Sequence, residues 1–279
     1  MKQIDYKGYI EYTFPTEQDM ADFYEKVTDN VLGLKTNQYA LLYSPDGNLV
    51  DRVKWNGEKY VAVSYRTINN DWFQKIKPRN VEQELAFDLL QDKNTLVKLI
   101  TGKMGSGKTF LCACHAINGL KSNKFDRIVW IRNNVIVRNV PDIGALPGTA
   151  LEKLIDYCMP LADALGGKEG LMSLISFGKV EIIPLGTIRG RDIKNSCIIV
   201  SEAENLTKDH LQLILGRVGE GSVLYLDGDI RQVDKPVFEN DNGIVAAVEK
   251  LTGNELFGYV DLQQVERSKV AMLTDLFYD

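Results

Sequence analysis

Residues 95–120 read TLVKLITGKMGSGKTFLCACHAINGL. An apolar, β-branched run from Leu96 to Ile100 meets a glycine-rich turn, and an apolar pattern of helical period follows. The turn is Gly102-Lys103-Met104-Gly105-Ser106-Gly107-Lys108-Thr109, which spells G-x-x-x-x-G-K-T between a strand and a helix. That is the phosphate-binding loop pattern in its required setting. Glycines let backbone N–H groups curl inward around phosphate oxygens, and the helix that follows points its positive end at the same place. In this pattern Lys108 reaches the β- and γ-phosphates and the Thr109 hydroxyl ligates Mg²⁺; Phe110 completes the nucleotide-contacting stretch.

Composition limits the remaining possibilities. The 279 residues suffice for one large domain, or for a core domain and a small one, with 44% hydrophobic and 25% charged residues. No apolar run is long enough to span a membrane, and the opening MKQIDYKGYIEYTF lacks the apolar core of a signal peptide, so a cytoplasmic location is expected. A net charge of −5 means that any nucleic-acid contact must use local basic patches. Cys112, Cys114, Cys158 and Cys197 match no zinc spacing and read as buried thiols. The two histidines, His115 and His210, argue against a histidine-based metal site or catalytic triad.

Taken in order, Tyr9 to Phe14 reads as a strand, and a helical pattern carrying Met20, Phe23, Tyr24 and Val27 starts after Pro15-Thr16. Tyr39–Tyr43, Val50–Val53 and Lys59–Tyr65 read as a small β-meander joined by hairpin turns, too small to stand alone and therefore expected to pack on a neighbour. Lys77-Pro78-Arg79-Asn80 marks a boundary, with residues 1–76 a small β-rich unit and 77–279 the main domain. Asn80 is placed to cap a helix bearing Val81, Leu85, Leu89 and Leu90, with Gln83 at the capping-box position.

Beyond the glycine turn, strands are expected at Arg127–Ile131, Val180–Ile183, Cys197–Val200, Val223–Asp227 and Leu256–Leu262. Helices are expected at Ala150–Leu165 (interrupted by Pro160), Leu206–Val218 and Asn242–Leu251, with a loop at Pro141–Gly148. Alternation of this kind predicts an α/β fold, a mainly parallel sheet with helices on both faces, with ligands at the carboxyl ends of its strands.

A phosphate loop needs a magnesium partner and a group that orients water. Cys197–Val200 leads into Ser201-Glu202-Ala203-Glu204-Asn205, where Glu202 is the candidate water activator. Ser201 stands where an aspartate is usual; its hydroxyl can meet a magnesium-bound water but brings no charge, so slow hydrolysis is expected. Gly228-Asp229-Ile230-Arg231-Gln232-Val233-Asp234 puts the Gln232 amide near the γ-phosphate. Arg189 and Arg191, flanking Gly190, and Arg132 at a strand end are candidates for nucleic-acid backbone contact. Asn123-Lys124-Phe125-Asp126 matches a guanine-reading motif but comes too early in the chain, and it reads as a turn.

The ordered set NVEQ (80–83), GKMGSGKT (102–109), GALPG (144–148), Pro160-Leu161, TIRGR (187–191), SEAEN (201–205), GDIRQVD (228–234) and VER (265–267) resembles the PhoH-like ATPases, relatives of superfamily 1 helicases. The resemblance covers about Lys77 onward and implies a RecA-like P-loop core using ATP and Mg²⁺. It implies that Gln83 reads adenine, Glu202 activates water, Gln232 senses the γ-phosphate and Arg267 is an arginine finger or sensor. In that family the SEAEN position usually reads D-E-A-Q-N, so the chain departs at Ser201 and Glu204. Fused relatives carry a PIN nuclease domain, for which residues 1–76 are too short, so no nuclease activity is expected, although a separate nuclease partner is compatible with this. One RecA-like core needs its finger from a neighbour, so a homo-oligomer, a hexamer, is expected. The implied activity is an ATPase acting on RNA or single-stranded nucleic acid. The alternatives are a slow nucleotide switch or scaffold and, less well matched, a small-molecule kinase.

Overall fold

The computed structural model describes residues 4–71, 74–132, 155 and 158–266. Tyr9–Thr13 (β1), Tyr39–Tyr43 (β2), Leu49–Trp55 (β3) and Tyr60–Ala62 (β4) form a four-stranded sheet in that order. The meander is present as antiparallel β2, β3 and β4, but β1 joins its edge parallel to β2, which local pattern does not reveal. Parallel neighbours need a crossover, and the helix Glu17–Glu25 (α1), capped by Thr16, lies within it. Phe14, Phe23, Leu42, Val53, Trp55 and Tyr60 form the core of this unit. A second pair, Ile68–Asn70 (β5) and Gln74–Ile76 (β6), is antiparallel and was not anticipated.

Asn80 caps Val81–Gln91 (α2), its side chain accepting from the Gln83 N–H. Only half of the expected capping box forms, because the Gln83 side-chain oxygen accepts from Arg79 N–H rather than from Asn80. The small sheet packs on this helix through buried polar contacts. Tyr9 donates to Glu82, Tyr39 donates to Asp88, and Lys54 Nζ donates to Asp88 at 3.0 Å and Asp92 at 2.8 Å. One apolar cluster includes Tyr39 and Leu41 of the small sheet together with Leu85 and Leu89 of α2 and residues of the main core.

The main sheet holds Val97–Gly102 (β7), Arg127–Arg132 (β8), Val180–Pro184 (β9), Ser196–Val200 (β10), Val223–Gly228 (β11) and Phe257–Leu262 (β12). Its order is β12-β7-β11-β10-β8-β9, and every pairing is parallel. Alternate residues feed two cores. Ile100, Trp130 and Ile199 face the side of α2 and of Lys108–Lys121 (α3), whereas Leu99, Ile131 and Ile198 face the other. Met159–Ala164 (α4) and Lys168–Ser176 (α5) join the first layer; Lys208–Leu215 (α6) and Gly243–Leu251 (α8) build the second, and Pro236–Asn240 (α7) is a short connector helix.

Pro160 sits in the first turn of α4, where its missing N–H costs nothing, and so marks the break expected in the 150–165 stretch. Two expectations change. The helix expected from Leu206 begins at Lys208, because Ala203–Asn205 forms a 3-10 turn and Thr207 caps α6. The helices α5 and α7 were not foreseen. The loop expected at Pro141–Gly148 lies outside the described residues. All four cysteines are buried and unpaired.

Lys98 on β7 is fully buried, donating to the carbonyls of Leu90 and Asp92 at the end of α2. With the Tyr225 hydroxyl, which also donates to the Leu90 carbonyl, it closes the carboxyl end of this helix. Burial, with Lys124 adding repulsion, pulls its pKa down to about 7 from the usual 10.5. Between these values the unfolded chain binds more protons than the folded one, so this lysine's destabilising effect is complete below pH 7 and fades as pH rises toward 10.5. The stability of the wild type relative to Lys98→Met should therefore rise by about 3 kcal/mol between pH 7 and pH 9.5, measured by urea unfolding. A pH-independent difference would refute the assignment.

Candidate nucleotide-binding site

The carboxyl ends of β7, β10 and β11 converge on one cavity of about 350 Å³. Its lining includes eight positions expected from the sequence: Met104, Gly105, Gly107, Lys108, Thr109 and Phe110 of the loop and helix start, with Glu202 and Gln232. Pro160, Asp163, Glu204, Asp227 and Asp229 also reach it.

The loop is built for an anion. Gly107 is the residue before α3, with φ of 91°, and no side chain caps the helix start. The first N–H groups of α3 thus lack a side-chain acceptor and face the position a phosphate takes. At Gly102 a Cβ would lie 2.4 Å from the Leu262 carbonyl and 2.8 Å from Ser106 Oγ, so no larger residue fits. Ser106 Oγ is buried with no hydrogen-bond partner among the described residues. Lys108 Nζ reaches back to the Lys103 carbonyl at 3.4 Å, which holds the ammonium over the loop.

Thr109 makes the contact that the sequence reading missed. Its hydroxyl donates to Asp227 Oδ1 at 2.7 Å. Asp227 is the penultimate residue of β11, and β11 lies directly beside β7. Its carboxylate is buried, which raises its pKa to about 6 against the opposing pull of Thr109 and Lys108. The second oxygen, Oδ2, has no hydrogen-bond partner among the described residues. The available signal was an acidic residue closing an apolar strand, which read as the last residue of that strand.

Ser201 is buried and follows β10, one strand further from the loop. Glu202 adopts the left-handed backbone conformation, φ 55° and ψ 44°, which a side-chain-bearing residue takes at a cost of about 1 kcal/mol. Its half-exposed carboxylate pairs with Arg132 at 2.8 Å. Arg132 therefore acts within the site, against the water-activating candidate, as well as being a candidate for nucleic-acid contact.

Glu204 is buried, and its carboxylate accepts from the Asp229 N–H at 3.0 Å. Burial pushes its pKa up to about 8, with Glu202 adding to the rise. At neutral pH it is mostly a neutral acid, close in shape and hydrogen bonding to the glutamine usual in the resembling family. Asn205 and Asp234 exchange two hydrogen bonds, so the turns 201–205 and 228–234 are knitted together. Gln232 lies in the second of these turns and lines the cavity.

The Gln83 amide donates to the Ser106 carbonyl at 2.9 Å, tying α2 to the phosphate loop. Arg191 is bidentate to Glu181, which occupies its guanidinium, while Arg189 is exposed. Arg267 lies outside the described residues. Its neighbour Glu266 donates its N–H to the Gly105 carbonyl and accepts from Asn80 Nδ2.

Among the described residues, no group of three His, Cys, Asp or Glu could hold a metal alone. Magnesium takes most of its ligands from water and phosphates, so one hydroxyl and one nearby carboxylate suit it. The donor set of Thr109 and Asp227, with the unpartnered Oδ2, fits such an ion.

A phosphate loop opening a helix beside a six-stranded parallel sheet defines a P-loop NTPase with a RecA-like core. Residues 75–279 match the family model described as PhoH-like protein, and the chain belongs to that family. Protein PhoH2 of Bacillus subtilis (strain 168) is 32% identical over 282 residues, covering 96% of this chain and 63% of its own length. Protein PhoH2 of Mycolicibacterium smegmatis is 34% identical over 201 residues, covering 71% and 46%. The chain thus spans between 46% and 63% of the length of these two relatives. Among solved structures, the Pif1 helicase from Candida albicans aligns with a TM-score of 0.37 at 17% identity, covering 72% of this chain and 44% of that one. No described helix is long and apolar enough to cross a membrane.

The Glu204 environment gives a test. Below pH 4.5 both folded and unfolded chains hold its proton; between 4.5 and 8 only the folded chain does, so stability falls as pH rises, and the cost is complete above 8. Glu204→Gln should keep the fold and gain about 3 kcal/mol over the wild type between pH 6 and pH 9, read from denaturant midpoints. A variant whose advantage does not change with pH would contradict a buried neutral Glu204.

Proposed function

We propose that this chain is an ATP-binding, magnesium-dependent ATPase that acts on RNA or single-stranded nucleic acid. The supporting observation is the meeting of Lys108, Thr109, Glu202, Asp227 and Gln232 around one cavity at the strand ends. The amides of the loop and Lys108 bind the β- and γ-phosphates. Magnesium, when bound, neutralises charge on the phosphate oxygens. Glu202 orients the attacking water, and its left-handed backbone presents the carboxylate to the cavity. Its ion pair with Arg132 holds it in register, and release of that pair couples water activation to whatever engages Arg132. Gln232 follows the γ-phosphate and transmits its state through the knitted turns.

Gln83 already bridges Arg79 and Ser106, so an adenine edge would use its second amide hydrogen and second lone pair. Arg267 is proposed as an arginine finger or sensor, and the loop-bound Glu266 precedes it in the chain. A homo-oligomer, a hexamer, is retained as the assembly to test by mass with ATP bound. Arg132 and the exposed Arg189 are the candidate contacts to nucleic acid, and Arg191 contributes only by giving up Glu181. The division at residue 76 is likewise proposed, with α2 as the seam.

A slow-turnover switch is the second reading. It is favoured by the Glu202–Arg132 pair, which neutralises the water-activating carboxylate in this arrangement. Steady-state ATP hydrolysis with and without single-stranded RNA separates the two. Turnover should be stimulated by RNA and fall at least about a hundredfold in both Lys108→Ala and Glu202→Gln. ATP binding without turnover in the wild type would give the switch.

A further inference from the structure

We propose that Asp227 supplies the carboxylate at the magnesium end of the site, the task for which Ser201 lacks the charge. This rests on the nucleotide-binding reading above and adds a residue to it. The register makes the case. Val200 of β10 pairs with Leu226 of β11, so the next residues along, Ser201 and Asp227, stand at the same level of the sheet. Asp227 in turn pairs with Ile100 of β7. The carboxylate has therefore moved one strand sideways, toward the phosphate loop, by about the 4.8 Å that separates neighbouring strands.

Three further observations point the same way. Asp227 Oδ1 accepts a hydrogen bond from the Thr109 hydroxyl at 2.7 Å, which leaves the lone pairs of that hydroxyl free for a cation. Asp227 is 1% exposed, and its Oδ2 lacks a hydrogen-bond partner among the described residues. Asp227 lines the same cavity as Lys108 and Glu202, where a phosphate-bound cation and its waters belong. A structural role alone, fastening the start of α3, would use one oxygen and leave the other buried and unmatched, which is costly. A metal-bound water satisfies that second oxygen. The neighbouring acids do not compete: Glu204 accepts from a backbone N–H, Asp229 is bidentate to Arg231 in its own turn, and Glu202 pairs with Arg132.

The test is the affinity for ADP, by calorimetry, in EDTA and in Mg²⁺, for the wild type, Asp227→Asn and Ser201→Ala. The wild type should bind more tightly with Mg²⁺. Asp227→Asn should lose about tenfold or more of that tightening while its affinity in EDTA stays within about threefold of the wild type. Ser201→Ala should lose less. Should Asn at this buried position prevent folding, Asp227→Thr, whose branched side chain suits a strand, carries the same expectation. Magnesium dependence undiminished in the folded Asp227 variant, or a loss in Ser201→Ala as large as in Asp227→Asn, would overturn the proposal and leave nucleotide binding standing. A wild type that binds no ADP in either condition would overturn both readings.

Discussion

The hydrogen bond from Thr109 to Asp227 is the contact on which the site depends. It joins the first turn of the phosphate-loop helix to the end of the neighbouring strand. It forms because β11 is inserted between the loop strand and β10. That insertion sets two strand ends against the loop rather than one. One contributes the buried carboxylate and, through the turn after it, Gln232; the other contributes Glu202 from a strained backbone. Both turns are held by reciprocal side-chain bonds, so neither can move without the other.

A second constraint comes from α2, which couples the small sheet to the loop. Its N-terminal turn holds the loop through the Gln83 bond to Ser106. The carboxylate of Glu82 accepts from Tyr9 of β1 and from the backbone N–H groups of Gln263 and Gln264 that follow β12. Its C-terminal end is closed by Lys98 and braced by Lys54 from β3 through Asp88 and Asp92. These buried charges are costly to desolvate and are kept by multiple partners, so they specify how the sheet sits as much as they stabilise it. A shift of the small sheet would be felt at the loop through a single helix of 11 residues.

Much of the fold was legible because its signals are local. The glycine turn, the apolar strands of the main sheet and the cap at Asn80 are each written in a few adjacent residues. Pairing across the chain was not legible in this way. Nothing near Tyr9 announces a parallel partner at Tyr39. The order of strands hides in the same manner, and with it Asp227. The usual aspartate is replaced by Ser201, whereas the fold brings a carboxylate to Thr109 from Asp227, 26 residues later on the neighbouring strand. Arg191 and Arg132 looked like exposed cations, yet their partners Glu181 and Glu202 lie on other elements. Glu204 stands out in the sequence only as a departure from D-E-A-Q-N, and its burial reveals a mostly neutral group.

The central claim is that the loop, Thr109 and Asp227 form one magnesium–nucleotide site. A crystal structure with Mg²⁺ and a non-hydrolysable ATP analogue tests it most directly. The account predicts the triphosphate cradled by residues 102–109, with the metal on the Thr109 hydroxyl and Asp227 Oδ2 facing a metal-bound water. A metal held against Ser201 with Asp227 Oδ2 still unmatched, or a nucleotide bound away from the loop, would contradict it.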